Sequence, residues 1–130
     1  IIDKRRFDDT EQASSWAVIG DVKDKDAIIF DDEIATGGSI KEAARILREF
    51  GVRTVRVGAT HGVLSGTAIE RLNSAALSEL VLCDTIPIPE AKASKLQSLK
   101  ILSTAHMFGE AILRIHGGRS ISQMMEFLPT

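Results

Sequence analysis

An α/β fold, with a parallel sheet carrying helices on both faces, is what the amino-acid sequence predicts, and three observations lead there. Short apolar, partly β-branched runs recur at Ala27 to Phe30, Thr54 to Ala59 and Leu80 to Cys83. Each has strand length and is bounded by charge or polar residues. Segments with apolar residues at helical spacing lie between them, and strands alternating with helices imply right-handed βαβ units in one parallel sheet.

From the N-terminus, Ile2 to Arg6 is a short basic stretch. Phe7 to Ser15 is polar and acidic without an apolar period and reads as a mobile loop. Trp16 to Ile19 is a short apolar piece with strand character, followed by the turn-like passage Gly20 to Asp26. Ala27 to Phe30 reads as a buried strand. Beyond it Ile40, Ala43, Ala44 and Leu47 share one helical face, while Lys41, Glu42, Arg45, Arg48 and Glu49 fall elsewhere. Gly51 stops that helix. Thr54 to Ala59 is the next strand, about Thr67 to Asn73 a shorter helix, Leu80 to Cys83 a third strand and Ile101-Leu102 a short fourth. Ser103 or Thr104 caps a final helix whose face is Met107, Phe108, Ala111, Ile112 and Ile115, ended by Gly117-Gly118. No internal repeat, low-complexity tract or linker interrupts the chain, so residues 1–130 are expected to form a single domain.

Composition narrows the function classes. A length of 130 residues with 44% hydrophobic residues suits one domain with its own core. A formal net charge of −2 with interspersed signs gives no footprint for nucleic acid. No apolar run is long enough to span a bilayer, and the basic opening leads into no secretory apolar region. Cys83 is the single cysteine, so no internal disulfide forms, and a reducing cytoplasmic setting is the simplest expectation.

Chemistry concentrates where the first buried strand meets its helix. The run Phe30-Asp31-Asp32-Glu33-Ile34-Ala35-Thr36-Gly37-Gly38-Ser39 joins paired carboxylates to a hydroxyl-glycine-glycine-hydroxyl turn. Unpaired amides and the positive end of a helix dipole belong at such a junction and suit a phosphate dianion. Gly37 and Gly38 let the backbone approach phosphate oxygens, and Thr36 and Ser39 add hydroxyl donors. Asp31 and Asp32, at the carboxyl edge of a sheet, can accept hydrogen bonds from a vicinal diol. A phosphorylated sugar satisfies both halves of the motif.

Asp-Asp-x-x-x-Thr-Gly-Gly-Ser resembles the phosphoribosyl diphosphate (PRPP) loop of type I phosphoribosyltransferases and of ribose-phosphate diphosphokinases, the PRPP synthetases. Ile2-Asp3-Lys4-Arg5-Arg6 resembles the base of the synthetases' catalytic flexible loop. Ala59-Thr60-His61-Gly62-Val63-Leu64-Ser65-Gly66, with Ala68-Ile69-Glu70-Arg71, is similar to their next strand-loop-helix passage. Cys83-Asp84-Thr85-Ile86-Pro87 and Arg119-Ser120-Ile121-Ser122 resemble their closing segments. The likeness covers nearly the whole chain in one order, that of the C-terminal half of a longer synthetase, with Ile1 to Ser15 as a flexible catalytic-loop segment.

The resemblance implies a phosphoribosyltransferase-like fold and the reaction of ATP with ribose 5-phosphate to give AMP and PRPP. Lys4 and Arg6 would then be catalytic, acting on the transferring diphosphoryl group, with Arg5 structural. Asp31, Asp32, Ala35, Thr36, Gly37, Gly38 and Ser39 would hold ribose 5-phosphate. Ser120 and Ser122 would match serines of a regulatory site at a subunit interface. Magnesium would be the cofactor, reaching the protein through substrate oxygens with no direct ligand. ATP would bind through another domain, the isolated chain would be inactive, and a homo-oligomer is implied. The synthetases usually carry a third carboxylate where this chain has Ala35. A type I phosphoribosyltransferase and a non-catalytic, synthetase-like regulatory subunit therefore stand as alternatives. His61 reads as a structural strand-end residue, His116 as a complement to a helix dipole, and Asp84-Thr85 as either a pocket wall or an end-of-strand cap.

Overall fold

The computed structural model describes residues 2–6 and 14–124, with side chains from Val18 to Met124. Two strands near the N-terminus, β1 (Ile2–Arg6) and β2 (Ser14–Val18), pair antiparallel from Ile2↔Val18 to Arg6↔Ser14. The sequence suggests an irregular loop through Ser15, whereas pairing with β1 draws Ser14 and Ser15 into a strand. Residues 7–13, the rest of that expected loop, lie outside the described residues.

The main sheet has four parallel strands in the order β3 (Asp26–Glu33), β4 (Thr54–His61), β5 (Glu79–Cys83) and β6 (Leu99–Leu102). Strand β3 outruns its apolar stretch because its ladder with β4 continues through Asp31↔Ala59 to Glu33↔His61. The connections are α1 (Gly38–Glu49), α2 (Ala68–Ser74) and the single turn α3 (Glu90–Ala93), and α4 (Ala105–His116) follows β6. A Schellman motif closes α1: Val52 N–H donates to Leu47 O at 3.0 Å and Gly51 N–H to Arg48 O at 2.9 Å, with Gly51 at φ 81°.

Val55, Val57 and Ala59 of β4 and Leu80 and Leu82 of β5 alternate inward, as strand geometry requires. They meet Ile40, Ala44 and Leu47 of α1 and Ala68 and Leu72 of α2 in two adjoining apolar clusters. Leu82, Ala44 and Ala68 are entirely shielded from solvent.

The α/β class and the parallel sheet agree with the sequence; the distribution of helices is narrower than expected. Among the described residues α1 and α2 touch each other and cover one face, while the opposite face leaves Ile28 56% and Phe30 81% exposed. The strand order explains this. Strands added in one direction by right-handed crossovers place successive helices on the same side, and a second layer requires a reversal of strand order. Helix α4 forms where its periodicity predicts, yet it buries none of its residues, and Met107, Phe108, Ile112 and Ile115 remain exposed.

Candidate functional site

The carboxyl edge of the sheet is built from the ends of β3 and β4. Asp31 and Asp32 occupy adjacent exposed positions near the end of β3, so their side chains leave the strand in alternate directions. Each turns one carboxylate oxygen onto the backbone: Asp31 Oδ1 accepts from Asp32 N–H at 3.0 Å and Asp32 Oδ1 from Glu33 N–H at 2.8 Å.

Past Glu33 the chain leaves the ladder with one last bond, Ile34 N–H to His61 O at 2.8 Å, and anchors the 2%-exposed Ile34 side chain in the core. Three successive carbonyls then find donors on the β4–α2 connection and on α2. Leu64 N–H donates to Ile34 O at 3.0 Å, and Ser65 N–H to Ala35 O at 2.8 Å with Ser65 Oγ at 3.2 Å. Arg71 Nη1 donates to Thr36 O at 3.2 Å.

Gly37 is the N-cap of α1 in the left-handed region, φ 71° and ψ 5°, with no side-chain cap. Its carbonyl accepts the first helical bond, from Lys41 N–H at 3.0 Å. The left-handed conformation selects glycine here, while a Cβ would meet Ala68 O and Leu72 Cγ at 3.4 Å, an ordinary contact. The first turn of α1 carries no acidic residue, so its positive end is not neutralised from within the helix. Ser39 is exposed on this turn and Thr36 is exposed in the loop, while Ala35 is half-buried.

The structure thus brings Asp31, Asp32, Ala35, Thr36, Gly37, Gly38 and Ser39 into one continuous strand–loop–helix edge. Lys4 and Arg6 sit in β1 opposite Trp16 and Ser14, and their side chains are outside the described residues. Ser120 and Ser122 are exposed after α4; the Ser120 carbonyl accepts from Arg114 Nη1 at 3.1 Å, and Ser122 opens a 3-10 turn, Ser122–Met124. Their contacts are local and do not join the loop at 31–39. Among the described residues no group of three or more His, Cys, Asp or Glu could hold a metal.

Asp84 and Thr85, left open by the sequence, acquire structural roles. Asp84 accepts from Thr104 N–H at 2.7 Å and Thr104 Oγ1 at 2.8 Å, which ties β5 to the start of α4. The Ser103 hydroxyl, then the Thr104 amide and hydroxyl, hold its carboxyl down at about 2. His61 Nδ1 lies 2.8 Å from Thr85 Oγ1, whose hydroxyl proton goes to Thr60 O at 2.8 Å. Nδ1–H must then be the donor to that hydroxyl oxygen. Sequence reasoning missed the loop's backing by Ser65 and Arg71. The available signal was a cation three residues after Ala68 on a short helix.

The family described as phosphoribosyl synthetase-associated domain matches residues 8–126. A ribose-phosphate pyrophosphokinase of Caldanaerobacter subterraneus subsp. tengcongensis is 49% identical over 124 residues, which cover 95% of this chain and 38% of that protein. One of Nostoc sp. is 48% identical over 128 residues, 95% of this chain and 37% of that protein. The crystal structure of phosphoribosylpyrophosphate synthetase from Mycobacterium smegmatis superposes with a TM-score of 0.76 at 40% identity, covering 80% of this chain and 34% of that one. The chain spans somewhat over a third of the length of these relatives. A family match across nearly the full length, joined to the superposition on a solved synthetase, decides the assignment: the chain belongs to the phosphoribosyl synthetase-associated domain family.

Proposed function

We propose that this chain supplies the ribose 5-phosphate site of a ribose-phosphate pyrophosphokinase. The supporting observation is the edge formed by Asp31 to Ser39, where exposed carboxylates adjoin a glycine-capped helix N-terminus with no acidic residue in its first turn. Gly37, Gly38, Thr36 and Ser39 hold the 5-phosphate through amides and hydroxyls, and Asp31 and Asp32 accept hydrogen bonds from the 2- and 3-hydroxyls. Ala35 gives the loop a small, uncharged wall.

In the reaction the C1 hydroxyl oxygen of ribose 5-phosphate bonds to the β-phosphorus of ATP. The bond from that phosphorus to the α,β-bridging oxygen breaks, AMP leaves with the bridging oxygen, and the hydroxyl loses its proton. Alignment and charge stabilisation dominate such a transfer. Lys4 supplies a compact charge and Arg6 a planar fork to the transferring diphosphoryl group. Magnesium bound with the substrates would supply charge neutralisation there, with Asp31 and Asp32 serving it through the sugar they hold. ATP binds through parts of the longer protein, so the isolated chain makes no PRPP, and assembly into a homo-oligomer completes the enzyme. A cytoplasmic location fits this metabolic role; no described helix is long and apolar enough to cross a membrane.

The test is a longer protein containing this chain, assayed for AMP and PRPP with Lys4→Ala and Asp31→Asn alongside. Loss of turnover in both supports the assignment, and unchanged turnover in Lys4→Ala removes Lys4 from the mechanism. Ala35 slightly favours a type I phosphoribosyltransferase and is compatible with a synthetase-like regulatory subunit that keeps the sugar-phosphate loop. Binding of ribose 5-phosphate by the longer protein with no AMP release would establish it. Release of diphosphate from PRPP with a nucleobase acceptor would instead indicate a type I phosphoribosyltransferase.

A further inference from the structure

The bonds behind the loop have a directional consequence. In a trans peptide the carbonyl of one residue and the N–H of the next point in opposite directions. Ile34 O, Ala35 O and Thr36 O are all drawn toward the β4–α2 connection and α2 by Leu64, Ser65 and Arg71. The N–H groups of Ala35, Thr36 and Gly37 must therefore point away from that backing. None of the three has an acceptor among the described residues. Consecutive amides turned to one side form an anion-binding concavity.

Arg71 is the one charged member of this backing. Its Nη1 lies under the loop, close enough that a Cβ on Gly38 would come within 3.4 Å of it. None of the described ion pairs involves Arg71, so among the described residues no carboxylate pairs with it. Leu64 is held at φ 49°, a left-handed conformation unfavourable for leucine, while its side chain is 2% exposed and its amide reaches Ile34 O. A strained residue at this contact is consistent with a backing whose geometry matters beyond chain connection.

We propose that Arg71 is a positioning residue for the anion loop. Its hydrogen bond to the Thr36 carbonyl turns the Gly37 amide toward the bound phosphate, and its guanidinium sets a positive charge behind the same amides. The proposal rests on the reading that the loop holds the phosphate of ribose 5-phosphate. A purely structural Arg71 would tie α2 to the loop without affecting ligand affinity.

NMR of this chain in the parent, Arg71→Ala and Arg71→Lys forms, with and without ribose 5-phosphate, separates the outcomes. Without ligand, Arg71→Ala is expected to shift the Thr36 carbonyl carbon and the Gly37 amide nitrogen, while resonances of the β4 and β5 core stay in place. On titration, the parent's amides from Thr36 to Ser39 move, and Arg71→Ala binds about tenfold or more weakly, as expected for a hydrogen bond with a charged partner. Arg71→Lys, which keeps the charge and one donor, stays within about threefold of the parent on the same reasoning. Equal affinity of parent and Arg71→Ala overturns the proposal and leaves the loop assignment standing. A parent chain whose loop amides do not respond to ribose 5-phosphate overturns both. Should Arg71→Ala melt the fold, Arg71→Gln carries the same comparison of affinities.

Discussion

Replacing Gly37 with alanine tests the loop through a single atom. At φ 71° and ψ 5° the added Cβ enters the left-handed region, which costs an L-residue roughly 1–2 kcal/mol. The Cβ would sit 3.4 Å from Ala68 O and from Leu72 Cγ, ordinary close packing that adds little further strain. Reduced freedom of the unfolded chain returns about 0.4–1 kcal/mol. The net loss is therefore about 1 kcal/mol, a fall in Tm of roughly 2–8 °C for domains of this size range. Gly118→Ala is the control: φ is 65° with nothing within 4 Å of the new Cβ, so it carries similar strain outside the loop. Thermal unfolding should show comparable losses for the two variants. Calorimetric titration should show that Gly37→Ala alone loses affinity for ribose 5-phosphate, because relieving φ at residue 37 turns the amides that face the ligand. A Gly37→Ala chain that binds as tightly as the parent would refute the reasoning, whatever its Tm.

Other predictions probe the scaffold behind the loop. Leu82→Ala empties a fully buried position between β5 and the helical layer and should cost about 2–5 kcal/mol by denaturant titration. Gly62→Ala places a Cβ 2.9 Å from Leu82 Cδ1 and 3.3 Å from Ile88 Cδ1, and the resulting overpacking should cost about 1–3 kcal/mol. Acid should weaken the fold in a defined window. Asp84 is lowered from 3.8 to about 2 by Ser103 and Thr104, and Asp26 is lowered further, chiefly by Arg53 and then Thr54. Groups with depressed folded-state values stabilise the fold fully above their unfolded values and lose that contribution as pH falls through their folded values. Unfolding midpoints should therefore be flat above about pH 5 and fall below pH 4, with α4 amides exchanging early as Asp84 releases Thr104. A midpoint unchanged between pH 5 and pH 2 would contradict this.

Legibility in the sequence followed the strength of local signals. The α1 stripe of Ile40, Ala44 and Leu47 and its glycine stop at Gly51 are periodic and punctuated, and the helix forms there. Thr54 to Ala59 was legible as a strand, and β4 forms there with Val55, Val57 and Ala59 turned inward. The end of β3 was not visible, because Asp31, Asp32 and Glu33 enter the ladder through pairing with β4, not through their own propensity. The one-turn α3, opened by Pro89, was too short to leave a period. Helix α4 was legible as a helix, but its unburied apolar face was not, since periodicity reports a face without naming what covers it.

At the loop, residue types and order were readable: acids, then hydroxyls and glycines. The backing was not, because Ser65 and Arg71 act on Ala35 and Thr36 across 30 and 35 positions of sequence. Tertiary contacts of that range leave no local signature, and they set the direction in which the loop amides point.

The most direct measurement is calorimetric titration of this chain with ribose 5-phosphate and magnesium, beside unphosphorylated ribose and an Asp31→Asn variant. The site described above predicts saturable binding of ribose 5-phosphate, none of ribose, and a clear loss of affinity in Asp31→Asn. Ribose 5-phosphate that binds parent and Asp31→Asn alike, or not at all, would contradict the placement of the sugar phosphate at the Asp31 to Ser39 edge.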